Sequence, residues 1–227
     1  MGIDFSKRSH NKTAEKKIHP CEIYEGLDRH ANKGPLRVPV QESVLGQWFS
    51  DYKEKRDVIL KLPTGEGKTL IGLLILQSKI NQNKGSALYL CPNKYLADQV
   101  RTQAMEFGIQ HCSIDENGLP EDFVNGEKIL ITHAQMLFNG RSKGFGIGYN
   151  SAEVENVLLD DAHSCIEIIK TSCKFKIPKE SDCYAELRDL FKGSLKKQGA
   201  GTFADIANES RGAILAVPYW DWQDKED

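Results

Sequence analysis

The chain has 227 residues and a formal net charge of −2, because 30 Lys and Arg stand against 32 Asp and Glu. This length leaves room for one α/β domain with additions, and not for two. No apolar run approaches the roughly 20 residues that a membrane helix needs, the N-terminus lacks an apolar signal core, and the charge gives no global signature of nucleic-acid binding.

The six cysteines are scattered along the chain, which favours reduced thiols over a disulfide framework. We therefore expect a soluble, cytoplasmic protein that does not associate with membranes. An iron–sulfur cluster on Cys112, Cys165, Cys173 and Cys183 is an alternative, but their spacing contains no C-x-x-C pair and favours ordinary thiols.

The first part of the chain is predicted to be an N-terminal lead, a flexible segment without regular structure, followed by two helices. Residues 1–20 are polar and rich in lysine, so we expect a flexible segment. Residues 22–31 have a helical pattern, and a second helix is expected from Gln41. Its apolar residues recur at helical spacing, namely Val44, Leu45, Trp48, Phe49 and Tyr52.

A glycine-rich loop follows an apolar run, 58–62, that we predict to be a buried parallel strand. Residues 61–70 read KLPTGEGKTL, and the two glycines allow a tight turn whose N–H groups point at phosphates, next to a helix that begins near Lys68. Lys68 would contact the β- and γ-phosphates, and the Thr69 hydroxyl would bind Mg²⁺. The predicted binding residues of the loop are Thr64, Gly65, Glu66, Gly67, Lys68 and Thr69.

The loop departs from the usual phosphate-binding pattern at one position, and a simpler interpretation of it exists. The usual pattern, G-x-x-x-x-G-K-[ST], has glycine where this chain has Leu62. A chance glycine-rich turn between a strand and a helix is the alternative, which the helix-like sequence LIGLLILQSKI after the loop disfavours.

Further strands are expected at 87–91, 111–114, 128–132 and 157–160, with helices between most of them. This alternation predicts an α/β fold with a mostly parallel sheet covered by helices on both faces. After Cys165 the pattern becomes mainly helical. The expected organisation is therefore a lead at 1–20, an α/β domain at 21–165, and a mainly helical extension at 166–227 that is cut short.

Two adjacent carboxylates stand at the end of the last predicted strand. Asp160 is placed where an α/β sheet holds a magnesium carboxylate. Asp161 can orient or activate the attacking water, and His163 can sense the γ-phosphate or a partner domain. A solvated strand end is the alternative for the two aspartates, and an ordinary surface imidazole for His163.

Four segments, LPTGEGKT, LYLCPNKYLADQV, ILITHAQMLFN and LLDDAHSC, together resemble motifs I, Ia, Ib and II of superfamily 2 DEAD/DEAH-type helicases. The resemblance covers roughly residues 36–165 and implies the first RecA-like motor domain of such an enzyme. It implies ATP and Mg²⁺ as cofactors, adenine recognition by Gln41, and a catalytic role for Lys68 and Asp161. The box here reads Asp-Asp-Ala-His, so the second carboxylate is one methylene shorter than the usual Glu.

The same resemblance implies a nucleic-acid partner, either DNA or RNA, at the carboxyl side of the sheet. The residues that match strand-contacting segments or lie in a neighbouring loop are Pro92, Asn93, Lys94, Thr132, His133 and Arg141. Each has a simpler alternative: Asn93 can cap a helix, Thr132 can end a strand, and Arg141 can be a solvated side chain.

The family normally has a second RecA-like domain that carries an arginine finger, and no such segment follows His163. The resemblance therefore predicts the ATP-binding motor domain of a helicase or translocase, which needs a second motor domain in cis or in trans and hydrolyses ATP weakly by itself. The alternative is a nucleotide-dependent binding or regulatory module with little or no motor activity.

Overall fold

The computed structural model describes residues 16–30, 33–36, 40–116, 118–138, 152–172, 174, 176–210 and 212–225. The chain divides into two compact units, Met1–Cys173 and Lys174–Asp227. Each unit is described by itself below.

The first unit is built on a parallel sheet that has four strands within the described residues, in the order β2-β3-β1-β4. The strands are β1 (Ala87–Cys91), β2 (His111–Cys112), β3 (Ile129–His133) and β4 (Asn156–Leu159). Because all strands run in the same direction, their carboxyl ends meet at one edge of the sheet. The predicted α/β fold with a mostly parallel sheet is confirmed.

Seven α-helices accompany this sheet within the described part of the first unit. They are α1 (Pro20–Glu25), α2 (Val40–Gln47), α3 (Lys68–Asn81), α4 (Lys94–Glu106), α5 (Glu121–Val124), α6 (Ala134–Leu137) and α7 (Ala162–Ser172). A π-helical turn, Trp48–Tyr52, continues α2. The second predicted helix is thus confirmed, whereas the first is shorter than the predicted 22–31.

Alternate residues of β1 belong to two different hydrophobic clusters, one on each face of the sheet. Ala87, Tyr89 and Cys91 pack with α1, α2, α3 and α4. Leu88 and Leu90 pack in a second cluster together with apolar residues of α5, β3 and α6. A strand buried on both faces reads as a continuous apolar run, which explains the sequence ALYLC.

Helix α3 is the central helix of the first cluster, and most of its residues are buried. The next helix, α4, begins after Asn93, whose side-chain oxygen accepts a hydrogen bond from the Leu96 N–H at 3.0 Å. The cap that the sequence suggested for Asn93 is confirmed.

The predicted strand at 58–62 is wrong for the described structure. These residues belong to no strand of the sheet, and the Ile59 side chain is 95% exposed. On β4, Val157 is also 54% exposed. An apolar run forms a strand only where a neighbouring strand and a covering layer are available, and the exposure of Ile59 shows that the described residues supply no such layer.

The second unit is mainly helical, with α8 (Asp182–Leu190), α9 (Lys192–Gln198), α10 (Ala200–Ala207) and α11 (Tyr219–Gln223). Its small core consists of Phe191, Leu195 and Phe203. The Phe191 ring lies 4.5 Å from the Trp222 ring, measured between centroids. The predicted boundary at residue 165 falls inside α7, which continues to Ser172 within the first unit.

Among the described residues, no helix has both the length and the apolar character required to cross a membrane.

Candidate functional site

The glycine-rich loop leads directly into α3 at the carboxyl side of the sheet. Gly65 has φ +91° and Gly67 has φ +75°, both in the left-handed region that glycine adopts without strain. A Cβ atom on Gly65 would meet nothing within 4 Å, so the loop requires this glycine for its backbone conformation rather than for lack of space. Gly67 immediately precedes α3, which places the loop at the positive end of a 14-residue helix.

Two side chains hold this loop in place. The Lys68 ammonium donates a hydrogen bond to the Leu62 carbonyl, with Nζ and O 3.2 Å apart. The Gln41 amide donates to the Glu66 carbonyl, also at 3.2 Å, and Gln41 is only 5% exposed. Helix α2 is therefore tied to the middle of the loop, and Lys68 spans from the helix back to the start of the loop.

The two carboxylates after β4 have opposite environments. The Asp160 N–H donates to the Leu90 carbonyl at 2.9 Å, which fixes Asp160 against β1. Burial, followed by the charge of Asp161, raises the pKa of Asp160, whereas the nearby Lys68 acts in the opposite direction. Asp160 thus lies inside the site and close enough to Lys68 for their charges to interact.

Asp161 faces outward and caps α7. Its Oδ2 accepts a hydrogen bond from the Ser164 hydroxyl at 2.7 Å, and this bond is the main reason that the pKa of Asp161 is lowered. Its φ of +50° is uncommon outside glycine and is best tolerated by Asn and Asp. The carboxylate is therefore ionised at neutral pH and held in one orientation.

Tyr89 lies in the middle of β1, with only 1% of its surface exposed. Burial, followed by the charge of Asp160, raises the pKa of Tyr89 well above its usual range. The charge of Lys68 likewise acts on Asp160, so the first residues of α3 and the end of β4 belong to one site.

Sequence reasoning missed Ser164, which binds the Asp161 carboxylate. For Ser164 the signal was its position three residues after Asp161, a spacing at which a helix cap meets the first turn.

The other residues predicted to contact the nucleotide occupy different environments. Thr64 and His163 are exposed, and Glu66 is half-buried. Thr64 and Glu66 belong to the loop, whereas His163 lies in the first turn of α7.

The residues predicted to contact nucleic acid divide between surface and interior. Asn93 and Lys94 are exposed at the start of α4, and His133 is half-buried at the end of β3. Pro92 is buried, and Thr132 is only 3% exposed within β3. Pro92 and Thr132 can shape this edge of the sheet but do not present their side chains to a ligand. Arg141 lies outside the described residues.

A further cation, Arg101 on α4, lies near this edge of the sheet. It donates a hydrogen bond to the Ile131 carbonyl at 2.8 Å and forms an ion pair with Asp98. Burial, followed by the charges of Arg101 and Lys94, lowers the pKa of His133. His133 is therefore neutral at pH 7, and the local positive charge comes from lysine and arginine.

The residues present fit a magnesium nucleotide. Thr69, next to Lys68, offers a hydroxyl oxygen and Asp160 a carboxylate oxygen. Oxygen ligands of this kind suit Mg²⁺, which commonly takes one or two protein ligands besides phosphate and water. The described residues contain no group of three or more His, Cys, Asp or Glu that could enclose a metal ion by itself. The loop, Lys68 and the start of α3 add the N–H groups and positive charge that phosphates require.

A parallel α/β sheet with such a loop before its central helix, and with paired aspartates after a neighbouring strand, defines a RecA-like P-loop domain. The family model of the DEAD/DEAH box helicases matches residues 38–176, which is more than half of the chain, and the chain belongs to this family. The domain is therefore of the ATP-dependent helicase motor type.

One curated relative is Dicer-like protein 2-2 of Aspergillus niger, which is 28% identical over 117 residues. That match covers 49% of this chain and 8% of the relative, so the chain corresponds to a small part of that protein. No solved structure shows a significant match to the chain.

Proposed function

We propose that this domain binds ATP with Mg²⁺ and hydrolyses it while it acts on a nucleic-acid strand, as the first of two RecA-like motor domains. The proposal rests on the proximity of the predicted phosphate-binding Lys68, at the start of α3, to the predicted metal carboxylate Asp160, which follows β4. Thr69 is the next residue of α3.

The loop would bind the triphosphate through its backbone N–H groups and the positive end of α3. Lys68 would exchange the Leu62 carbonyl for phosphate oxygens, which are much better partners for an ammonium group. Thr69 and Asp160 would hold Mg²⁺, which supplies charge neutralisation on the phosphates. Gln41 would read adenine, and its bond to Glu66 connects base recognition to the loop.

Asp161 would orient the attacking water. Its bond to Ser164 keeps the carboxylate ionised, which an acceptor of a water proton requires. The side chain is one methylene shorter than the usual Glu at this position, so its distance from the water would limit the rate. His163 would sense the γ-phosphate or a partner domain.

The exposed start of α4, together with the end of β3, would contact the nucleic-acid backbone. Asn93 and Lys94 are exposed there, and Arg101 adds positive charge behind them. Contacts to phosphates depend on such local groups rather than on the net charge of the chain.

Hydrolysis would remain slow in this chain alone. An arginine finger contributes about 10³–10⁵ in rate in triphosphatases that use one. We propose that a second RecA-like domain, in the same or another chain, supplies that group.

Stimulated turnover tests the proposal. Phosphate release should be measured with Mg²⁺ and ATP, with and without single-stranded DNA or RNA, for the parent chain and for Asp160→Asn. We expect slow turnover that a single strand accelerates and that Asp160→Asn abolishes. Tight ATP binding without any stimulated turnover would support the alternative of a nucleotide-dependent binding module, and absence of ATP binding would contradict both.

A further inference from the structure

Arg101 of α4 donates a hydrogen bond to β3 at the point where the pairing of β3 with β2 ends. That pairing stops at Leu130. The backbone of Ile129 faces β2, since its N–H donates to the Gln110 carbonyl at 3.4 Å, and the carbonyl of Ile131, two residues further on, points to the same side. This carbonyl accepts from Arg101 Nη1 at 2.8 Å. A buried carbonyl needs a partner, and here a side chain of α4 provides it beyond the end of β2.

The guanidinium of Arg101 is held by two partners. Nη1 donates to the Ile131 carbonyl, and Nη2 forms an ion pair with Asp98, three residues earlier on α4. Because a guanidinium is planar and its N–H groups have fixed directions, the ion pair with Asp98 also fixes the direction in which Nη1 points. The Arg101 side chain is only 24% exposed, so water competes little for these bonds. Helix α4 is thus joined to β3 by one rigid side chain.

This bridge lies on the face of α4 that also carries Lys94. Lys94, Asp98 and Arg101 stand at positions i, i+4 and i+7, which share one face of a helix. Lys94 begins α4 and His133 ends β3. The charges of Arg101 and Lys94 both act on His133, which agrees with this arrangement. Arg101 therefore links the two elements whose ends form the proposed strand-binding edge.

We propose that Arg101 is a positioning residue that sets the start of α4 against the end of β3, so that Lys94 reaches the phosphates of a single strand. This inference rests on the proposed function, because it takes this edge as the surface that binds nucleic acid. Both terminal nitrogens of Arg101 are engaged within the domain, so Arg101 acts through Lys94 and not on the strand itself. Asp98 supports binding in this account, because it orients the guanidinium.

The first test uses Arg101→Met, which keeps most of the aliphatic stem and removes the guanidinium. Affinity for labelled single-stranded RNA and DNA should be measured by fluorescence anisotropy at one fixed salt concentration, because phosphate contacts depend on salt. We expect strand affinity to fall about tenfold, within the range known for groups in one hydrogen-bond network. ATP affinity should stay as in the parent.

Lys33→Met is the matched control. The Lys33 side chain is as little exposed as that of Arg101, at 23% against 24%, and its ammonium lies 2.7 Å from the carboxylate of Glu106, the last residue of α4. The variant loses an ion pair of the same helix at its other end, so strand affinity should remain as in the parent. Equal losses in both variants would show that general loosening of α4 causes the effect, which would overturn the inference.

A double-mutant cycle separates positioning from direct contact. If Arg101 acts through Lys94, Lys94→Ala will weaken strand binding in the parent and have little further effect in Arg101→Met. Two cations that contact phosphates independently would instead give additive losses. Additivity would therefore overturn the inference.

Asp98→Ala has an expected effect that is opposite in sign to that of net charge. The Asp98 side chain is 54% exposed, so the fold should tolerate the change. Removal of a negative charge near phosphates would strengthen binding if charge alone mattered. We expect weaker binding, because the guanidinium loses the partner that orients it. Unchanged or stronger binding would overturn this inference and leave the proposed function standing, whereas a parent chain that binds no single strand would overturn both.

Discussion

The two adjacent aspartates show how neighbours in sequence acquire different chemistry. Asp160 is partly buried and therefore less hydrated, so its neutral form is favoured more than that of a free aspartate side chain. Asp161 faces solvent and accepts hydrogen bonds from Ser164, so its charged form is favoured. This contrast suits a metal ligand beside a group that orients water.

Asp161→Asn tests the second role. The left-handed backbone at Asp161 tolerates asparagine, and an amide oxygen can still accept from Ser164, so the fold should be preserved. Positioned acid–base groups contribute about 10²–10⁴ in rate. We expect stimulated ATP turnover to fall at least about 100-fold in steady-state assays while ATP affinity is retained. Unchanged ATP turnover would show that Asp161 takes no part in hydrolysis.

Gln41 is expected to select adenine. Its planar amide has both a donor and an acceptor, which suits two contacts with the edge of a base. Gln41→Ala should narrow the difference between ATP and GTP affinities, measured by competition with a fluorescent nucleotide. The exposed Gln47 of the same helix provides the control, since Gln47→Ala should leave the discrimination unchanged. If both variants discriminate between ATP and GTP equally well, Gln41 supports the loop and does not select adenine.

At the level of elements, helix α4 depends on its cap and also adjoins the proposed strand-binding edge. Asn93→Ala removes the acceptor for the Leu96 N–H and should cost about 1 kcal/mol in the free energy of unfolding. Asn93→Ser keeps a capping oxygen and should restore most of that stability in denaturant titrations. If Asn93 also contacts nucleic acid, the serine variant will be stable yet bind single strands more weakly.

A second element-level contact joins the segments that precede β1 and β4. Glu155 accepts hydrogen bonds from the Ser86 N–H at 2.8 Å and from the Ser86 hydroxyl, and the hydroxyl bond is the main cause of its lowered pKa. A lowered folded-state pKa means that the ionised carboxylate stabilises the fold above the ordinary glutamate pKa of about 4.3. That stabilisation is lost as the pH falls through the lower, folded-state value.

Glu155→Gln should therefore reduce stability by about 1 kcal/mol at pH 7, a modest figure because the side chain is exposed. The difference from the parent should shrink as the pH falls below about 4.3. Urea titrations at several pH values measure both effects. A difference that is independent of pH would show that the charge of Glu155 is not involved.

At the scale of the whole molecule, local sequence patterns predicted the elements that depend on short-range contacts and the strands that are buried on both faces. The strands β1, β3 and β4, the glycine loop and the cap at Asn93 all follow from short-range rules. The segment 58–62 was predicted wrongly because the same apolar run needs a partner strand that sequence alone cannot guarantee. The bond of Gln41 to the Glu66 carbonyl could not be predicted, since it arises only when the fold brings distant residues together.

The central claim is that the glycine loop binds the phosphates of ATP through Lys68. The decisive measurement is calorimetric ATP binding at fixed Mg²⁺ for the parent chain, for Lys68→Ala, and for Lys61→Ala, an exposed lysine just before the loop. Loss of a charge-assisted phosphate contact should cost roughly 1.5–3 kcal/mol in affinity for Lys68→Ala and little for Lys61→Ala. Equal affinities in all three proteins would contradict the assignment of this site.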